Sequence, residues 1–302
     1  MNIDLKGIIP PMITPLTTEG ELDNEGLERL IEHMISGGVH GIFLLGTNGE
    51  APSLTYGLRK ELISKACKLI NHRVPVLVGI TDTSFQGSIE IAEHAKRSGA
   101  DVVVIAPPYY FPISENEMID YLDALVPELP LPFMLYNMPS CTKMQISLKI
   151  VRRAKELGAL GIKDSSGDLE YLYSLIDAFR DSPRFSIIVG TESFLSDTVI
   201  HGGHGAVAGG ANFLPNLFVD LYNASLENNT GVMDVLNQKV KYVYDTIYSV
   251  GKYESRVTKG IKCALSIMDI CGDSMALPLR KFGAEEREKI KSYLENLELL
   301  PA

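Results

Sequence analysis

Residues 131–163, LPFMLYNMPSCTKMQISLKIVRRAKELGALGIK, place an apolar run, a helical stretch and a second apolar run in direct succession. Leu131–Tyr136 and Ala159–Lys163 lack the apolar/polar alternation of a strand with one wet face, so they read as strands covered on both sides. Leu148–Leu157 between them has helical spacing. Two such strands joined by a helix form a parallel pair.

The same unit recurs on either side. Strand-like runs at Gly7–Ile13, Val39–Leu45, Val74–Val78 and Asp101–Ile105 precede helical stretches at Asn24–Ser36, Leu58–Ile70, Phe85–Arg97 and Glu115–Leu125. Beyond Lys163, the helix Leu169–Phe179 is followed by runs at Phe185–Val189 and Gly205–Ala208, with helices at Ser193–Ile200 and Leu217–Ser225. Eight βα units predict a closed (β/α)8 barrel of the TIM type, in the α/β class. An open doubly wound sheet is the competitor. Its dinucleotide-binding form carries a Gly-rich turn after the first strand, where this chain has Pro10-Pro11-Met12-Ile13-Thr14-Pro15.

From about Thr230 the strand signal stops, and Val232–Val250, Ser255–Met268 and Ala284–Leu300 read as helices. The division expected is a barrel over residues 1–229 and a helical extension over 230–302, packed on the barrel or on a neighbouring subunit. No low-complexity linker separates them.

The chain has 302 residues and a net charge of −10, which makes nucleic acid and anionic lipid poor partners. A small anionic substrate needs only a local cluster of donors. Cys67, Cys141, Cys263 and Cys271 form no C-x-x-C pair, no secretory leader is evident, and no run reaches the ~20 apolar residues of a membrane span. A reduced cytoplasmic protein is expected.

Barrel active sites lie at the C-terminal ends of the strands. There stand Gly46-Thr47-Asn48-Gly49-Glu50, Pro107-Pro108-Tyr109-Tyr110, Tyr136-Asn137-Met138-Pro139-Ser140, Lys163-Asp164, Gly190, and Gly209-Gly210-Ala211-Asn212. Lys163 closes an apolar run. Strand alternation puts it on the face of Gly161, opposite Leu160 and Ile162, so the bulky pair takes the helix side and Lys163 points into the barrel. Desolvation favours the neutral amine, which attacks ketones to give an imine. The other reading is a strand-end lysine paired with Asp164 or a neighbour. Tyr136 ends the preceding strand, where a phenol either shuttles protons for the amine or simply packs. The Gly46–Glu50 turn, with the Thr47 hydroxyl, either cradles a carboxylate or is a plain βα turn. Tyr109 and Tyr110 read as packing or interface aromatics, and Arg152-Arg153 as a solvated helix face. His201 and His204 have H-x-x-H spacing without a third ligand nearby, so no metal is expected.

Together these residues resemble the dihydrodipicolinate synthase / N-acetylneuraminate lyase family of pyruvate-dependent class I aldolases, over nearly the whole chain. The resemblance rests on Pro11–Pro15, Gly46–Glu50, Pro108-Tyr109-Tyr110, Leu135–Pro139, Gly161–Asp164 and Gly202–Gly205 in this order and spacing. It implies that Lys163 forms a Schiff base with pyruvate, with no other cofactor. It implies that Tyr136 shuttles protons and that Thr47 links that tyrosine to solvent and to the substrate carboxylate. Tyr110 matches a tyrosine inserted into a neighbouring subunit's site, which implies a homodimer or homotetramer. Gly46, Asn48, Gly190 and Val207 fall where the pocket is lined.

Three departures bear on specificity. Asn48 stands where synthases of the family carry a second Thr, and Cys141 stands where they carry the Arg that recognises the second substrate's carboxylate. Sialic acid lyases place an Asp-Glu pair after the strand-seven glycine and a Ser at the position of Gly209, where this chain runs Gly190-Thr191-Glu192-Ser193. The Gly209–Pro215 run is more similar to the 2-keto-3-deoxy-sugar-acid aldolases. The expectation is an aldolase or lyase joining pyruvate to an aldehyde or releasing it from a 2-keto-3-deoxy acid. The alternatives are a synthase or sialic acid lyase proper, a keto-acid-binding barrel without turnover, and a phosphate-binding barrel.

Overall fold

The structure is a computed structural model and describes residues 3–297 and 299. Eight strands run β1 (Gly7–Ile8), β2 (Ile42–Leu44), β3 (Val76–Gly79), β4 (Val102–Ile105), β5 (Phe133–Asn137), β6 (Gly161–Asp164), β7 (Ser186–Val189) and β8 (Gly205–Ala206). They form one sheet in the order β1-β8-β7-β6-β5-β4-β3-β2, and every strand pair is parallel. A parallel bridge between Pro11 and Phe43 joins the two ends. There the Phe43 amide donates to Pro10 O at 3.0 Å and the Met12 amide to Phe43 O at 2.9 Å. The sheet is thus a closed (β/α)8 barrel.

The first strand is shorter than the expected Gly7–Ile13. Pro10 and Pro11 have no amide hydrogen to give the ladder. Asn212 bridges the gap, its side chain accepting from the Ile13 amide at 3.0 Å and donating to Pro11 O at 3.1 Å and Gly209 O at 2.8 Å.

Two apolar clusters follow from strand alternation. Ile9, Phe43, Leu77, Val102, Val104, Met134, Tyr136, Ile188 and Val207 fill the barrel interior. Ile42, Val78, Val103, Ile105, Leu135, Ile162 and Ile187 face outward, onto helix stripes such as Leu27/Leu30/Ile31/Met34. Ile162 lies outside as expected, whereas Leu160, just ahead of β6, packs on the inner cluster. The helices start at side-chain caps: Asp23, Thr55, Ser84, Ser114, Ser147 and Asp168 each accept a first-turn amide. Arg152 and Arg153 lie along the helix Leu148–Glu156, Arg152 over the Phe179 ring and Arg153 paired with Asp123 and Glu156.

After the barrel come helices Thr230–Asp245, Arg256–Ile267 and Ala284–Asn296. The single helix expected over Val232–Val250 breaks at Thr246, with φ −116° and ψ −83°, and a 3-10 turn over Ile247–Ser249 follows. The Thr246 hydroxyl joins its own amide on Tyr242 O, and the Ser249 hydroxyl donates to Tyr244 O, an acceptor that a continuing helix would give to the Tyr248 amide. The expected end of the last helix at Leu300 lies outside the described residues. No helix among them is long and apolar enough to cross a membrane.

Gly161 leaves no room on the inner face of β6, since a Cβ there would lie 2.1 Å from Ser186 O. Gly161→Ala is therefore expected to cost about 3 kcal/mol or more in urea denaturation. Gly231→Ala, where a Cβ meets nothing within 4 Å among the described residues, should be neutral or stabilise by about 0.5 kcal/mol. Equal costs at the two sites would refute the packing argument.

Candidate active site

The β5/β6 register pairs Tyr136 with Lys163. Both side chains enter the barrel near its C-terminal mouth and are buried, Tyr136 to 7% and Lys163 to 5% exposure. The Lys163 Nζ lies 3.8 Å from the centre of the Tyr136 ring and 5.4 Å from that of Phe43. The proposed pairing with Asp164 does not occur. Asp164 leaves the strand on the opposite face, where it accepts from Asn137 Nδ2 at 2.7 Å and from the Ser166 hydroxyl at 2.9 Å. Burial raises the Asp164 pKa, against those two donors. The close approach of Lys163 depends on Gly190: a Cβ there would lie 1.9 Å from Ser165 Oγ and 3.1 Å from Lys163 Cε.

The hydroxyls of Thr47 and Tyr136 are 3.0 Å apart. This pair stands between two cavities and lines both. One, of about 240 Å³, is lined by Lys163, Asn48, Ser165, Gly190, Glu192, Val207 and Gly209, and from the C-terminal helices by Tyr244, Tyr248, Glu254 and Thr258. The other, of about 190 Å³, is lined by Gly46, Pro52, Thr81, Val104, Tyr109, Cys141 and Thr142. A larger open groove of about 980 Å³ lies elsewhere, among residues 16–24, 53–61 and 274–281. Its lysine, Lys281, is already paired with Asp273 at 2.9 Å, so the amine chemistry belongs to the barrel mouth.

Each expected site residue can now be placed. Gly46, Thr47, Asn48, Tyr136, Cys141, Lys163, Gly190 and Val207 all line one of these two cavities or both. Tyr110 lines neither. It is 68% exposed, edge-on to Phe111, with Lys143 Nζ donating to its carbonyl at 3.1 Å. Tyr109, read as a packing or interface aromatic, lines the smaller cavity. His201 and His204 are engaged separately. His201 sits against Asp197 O at 2.8 Å and over the Tyr173 ring, and His204 Nδ1 accepts the Ile187 amide at 3.1 Å.

The sequence reading missed Glu192, Tyr244, Tyr248 and Thr258 as contributors to the site. Glu192 accepts from the Gly210 amide at 2.9 Å and from the Tyr248 hydroxyl at 3.1 and 3.2 Å. Burial pushes its pKa up to about 7, opposed by those donors and by Lys163. Tyr244 accepts from the Glu192 amide at 3.1 Å, and its ring meets that of Tyr248 edge-on at 5.1 Å. Tyr244 lies in the helix Thr230–Asp245 and Tyr248 in the 3-10 turn after its break, and nothing local in the sequence said that both meet the barrel mouth.

The sequence model of the dihydrodipicolinate synthetase family matches residues 4–297. A crystal structure of dihydrodipicolinate synthase from Bacteroides thetaiotaomicron superimposes with a TM-score of 0.94 at 48% identity, covering 98% of this chain and 100% of that one. The 4-hydroxy-tetrahydrodipicolinate synthase of Protochlamydia amoebophila is 32% identical over 97% of each chain. The putative 2-dehydro-3-deoxy-D-gluconate aldolase YagE of Escherichia coli is 30% identical over 97% of each chain.

A buried acid whose folded pKa exceeds its unfolded value favours the native state most at low pH. Glu192 therefore contributes stability that is present below about 4.5 and lost as the pH rises towards about 7, on the order of 3 kcal/mol by linkage. Glu192→Gln, compared with the wild type by chemical denaturation from pH 4.5 to 8, should remove that part of the slope. Parallel curves would show that Glu192 titrates normally.

Proposed function

The chain belongs to the dihydrodipicolinate synthetase family, and from that premise we propose that it cleaves 2-keto-3-deoxy acids, or assembles them from pyruvate and an aldehyde, through an imine on Lys163. The observation that carries this reading is the buried Lys163 amine over the face of Tyr136, with Thr47 on the tyrosine hydroxyl.

In cleavage, the Lys163 amine adds to the C2 carbonyl of the keto acid. Tyr136 gives its hydroxyl proton to the carbinolamine hydroxyl, which leaves as water, so that an iminium and the Tyr136 phenolate are formed together. The C4 hydroxyl loses its proton to the Tyr136 phenolate, the C3–C4 bond breaks with its electrons flowing into the iminium, and the aldehyde departs. Protonation of the enamine at C3 and addition of water return pyruvate and the free amine. Tyr136 is the shuttle and Thr47 its link towards solvent, a role that general acid–base catalysis makes worth roughly 10²–10⁴ in rate.

The lining supports a neutral, hydroxylated tail on the substrate. Among the described residues that line the two cavities, Lys163 is the one cation, while Glu192 and Glu254 are acids and Asn48, Thr258, Tyr244 and Tyr248 are neutral donors or acceptors. A second carboxylate would find no cationic partner among these residues beyond the imine-forming amine. The name borne by the 48%-identical Bacteroides structure favours a second reading, condensation with a carboxylate-bearing aldehyde. Cys141, at the rim of the smaller cavity, weighs against it.

Two finer points belong to this reading. Tyr110 and Phe111, 68% and 73% exposed, suit insertion into a neighbouring copy, so a homodimer or homotetramer is proposed. The four cysteines are unpaired, which suits a reducing cytoplasm.

Borohydride reduction in the presence of pyruvate should trap an adduct on Lys163. Lys163→Ala should abolish it and lower kcat by about 10³ or more, and Tyr136→Phe should lower kcat by roughly 10²–10⁴. No adduct in the wild type would sink the imine. In a coupled pyruvate assay across keto-deoxy acids, the wild type should prefer those with neutral polyhydroxy tails. Cys141→Arg should raise kcat/KM for condensation with a carboxylate-bearing aldehyde by roughly tenfold or more. A wild type already efficient with that aldehyde would decide for the second reading.

A further inference from the structure

The loop Gly46–Glu50 is gripped twice by the helix Arg256–Ile267. Lys262, fully buried, forms an ion pair with Glu50 Oε1 and donates to Ser274 O at 2.7 Å. Glu50 Oε2 accepts from the Ala276 amide at 2.8 Å. One turn earlier on the same helix, Thr258 Oγ1 donates to Asn48 Oδ1 at 3.3 Å. The two gripped residues follow Thr47, whose hydroxyl lies 3.0 Å from that of Tyr136.

We propose that Lys262 is a positioning residue: through Glu50 it fixes the backbone of the Gly46–Glu50 loop and so holds the Thr47 hydroxyl on Tyr136. The inference rests on the imine reading of Lys163 and extends it to a residue that lines neither cavity.

Two observations point to geometry rather than to bulk stability. An ion pair this deeply buried recovers little more than its own desolvation cost, and an apolar pair of similar volume often serves stability as well. The loop itself is strained. Leu45 and Glu50 hold left-handed backbone, with φ of 58° and 56°, at a cost of order 1 kcal/mol or more each. Such conformations persist only where the surroundings impose them, and the residue that carries the strain at the loop's end is the one Lys262 holds. From the other side, Thr14 Oγ1 donates to Gly49 O at 2.7 Å. Asp273, the other acid near Lys262, is already engaged by Lys281 at 2.9 Å and Arg287 at 3.3 Å.

The test is the neutral double variant Glu50→Gln/Lys262→Met, which leaves no unpaired buried charge, made in wild-type and Thr47→Val backgrounds. The expected result is a kcat for keto-deoxy acid cleavage, per borohydride-trappable Lys163, lowered roughly 10- to 100-fold in the wild-type background. The KM for the keto acid should move less than about threefold, and the effect on kcat should vanish in the Thr47→Val background. A loss of kcat that multiplies unchanged onto Thr47→Val overturns the proposal, as does full activity of the double variant. If the double variant does not fold, Glu50→Asp reads the same grip by drawing the carboxylate back from Lys262. Its kcat should fall by roughly threefold or more, again only when Thr47 is present, and an unchanged kcat overturns the proposal. A wild type that forms no adduct removes the imine reading and this inference with it. A wild-type adduct beside a fully active double variant removes this inference alone.

Discussion

The site depends on the lateral register of β5 and β6. Parallel pairing sets Tyr136 beside Lys163, and barrel closure turns both inward. A slip of one residue in either strand would send its functional side chain to the helix layer and bring Leu135 or Ile162 into the lumen. Register is held here by the outward face, where Leu135 and Ile162 are buried in the same apolar layer and Asn137 donates to Asp164 across the strand pair at 2.7 Å. A buried hydrogen-bonded carboxylate on one side thus fixes a buried amine on the other. The chemical function is a by-product of strand geometry made specific by packing.

Much of this was legible in the chain because strands buried on both faces write themselves as unbroken apolar runs. Lys163 stood out for interrupting one, and alternation alone set its direction. Where alternation met the irregular start of β6 it failed, and Leu160 turned to the inner cluster. The prolines of the first strand were visible, but their consequence was not. Asn212 bridges the gap they leave from just beyond the neighbouring strand β8, about two hundred residues away in sequence. Glu192, Tyr244, Tyr248 and Thr258 were hidden for the same reason. Their role comes from where a helix docks, and docking is a tertiary fact that no local periodicity encodes.

The electrostatics of the mouth run against the composition of the whole chain. In a protein of net charge −10, the described residues that line the two mouth cavities include one cation, Lys163, and the cavity that holds it also holds a neutralisable acid. Glu192 is held near the point of losing its proton by burial, against donors on two different segments, Gly210 and Tyr248.

That carboxyl is held in turn by the helices that follow the barrel, which is the best reason to read residues 230–302 as part of the enzyme rather than as an appendage. The break at Thr246 turns Tyr248 onto Glu192, and the next helix brings Thr258 and Lys262 onto the Asn48–Glu50 end of the Thr47 loop. A barrel alone aims its strands but leaves its mouth loops to their own conformational freedom. Here the loop that carries Thr47 is bracketed by two residues in left-handed backbone, Leu45 just before it and Glu50 at its end, a state that it would not keep unaided. An apolar contact with the helix would oppose its relaxation only weakly, since apolar surfaces slide. A buried ion pair does not slide, because any displacement strands a charge. The constraint therefore passes from the last third of the chain to a single hydroxyl at the barrel mouth.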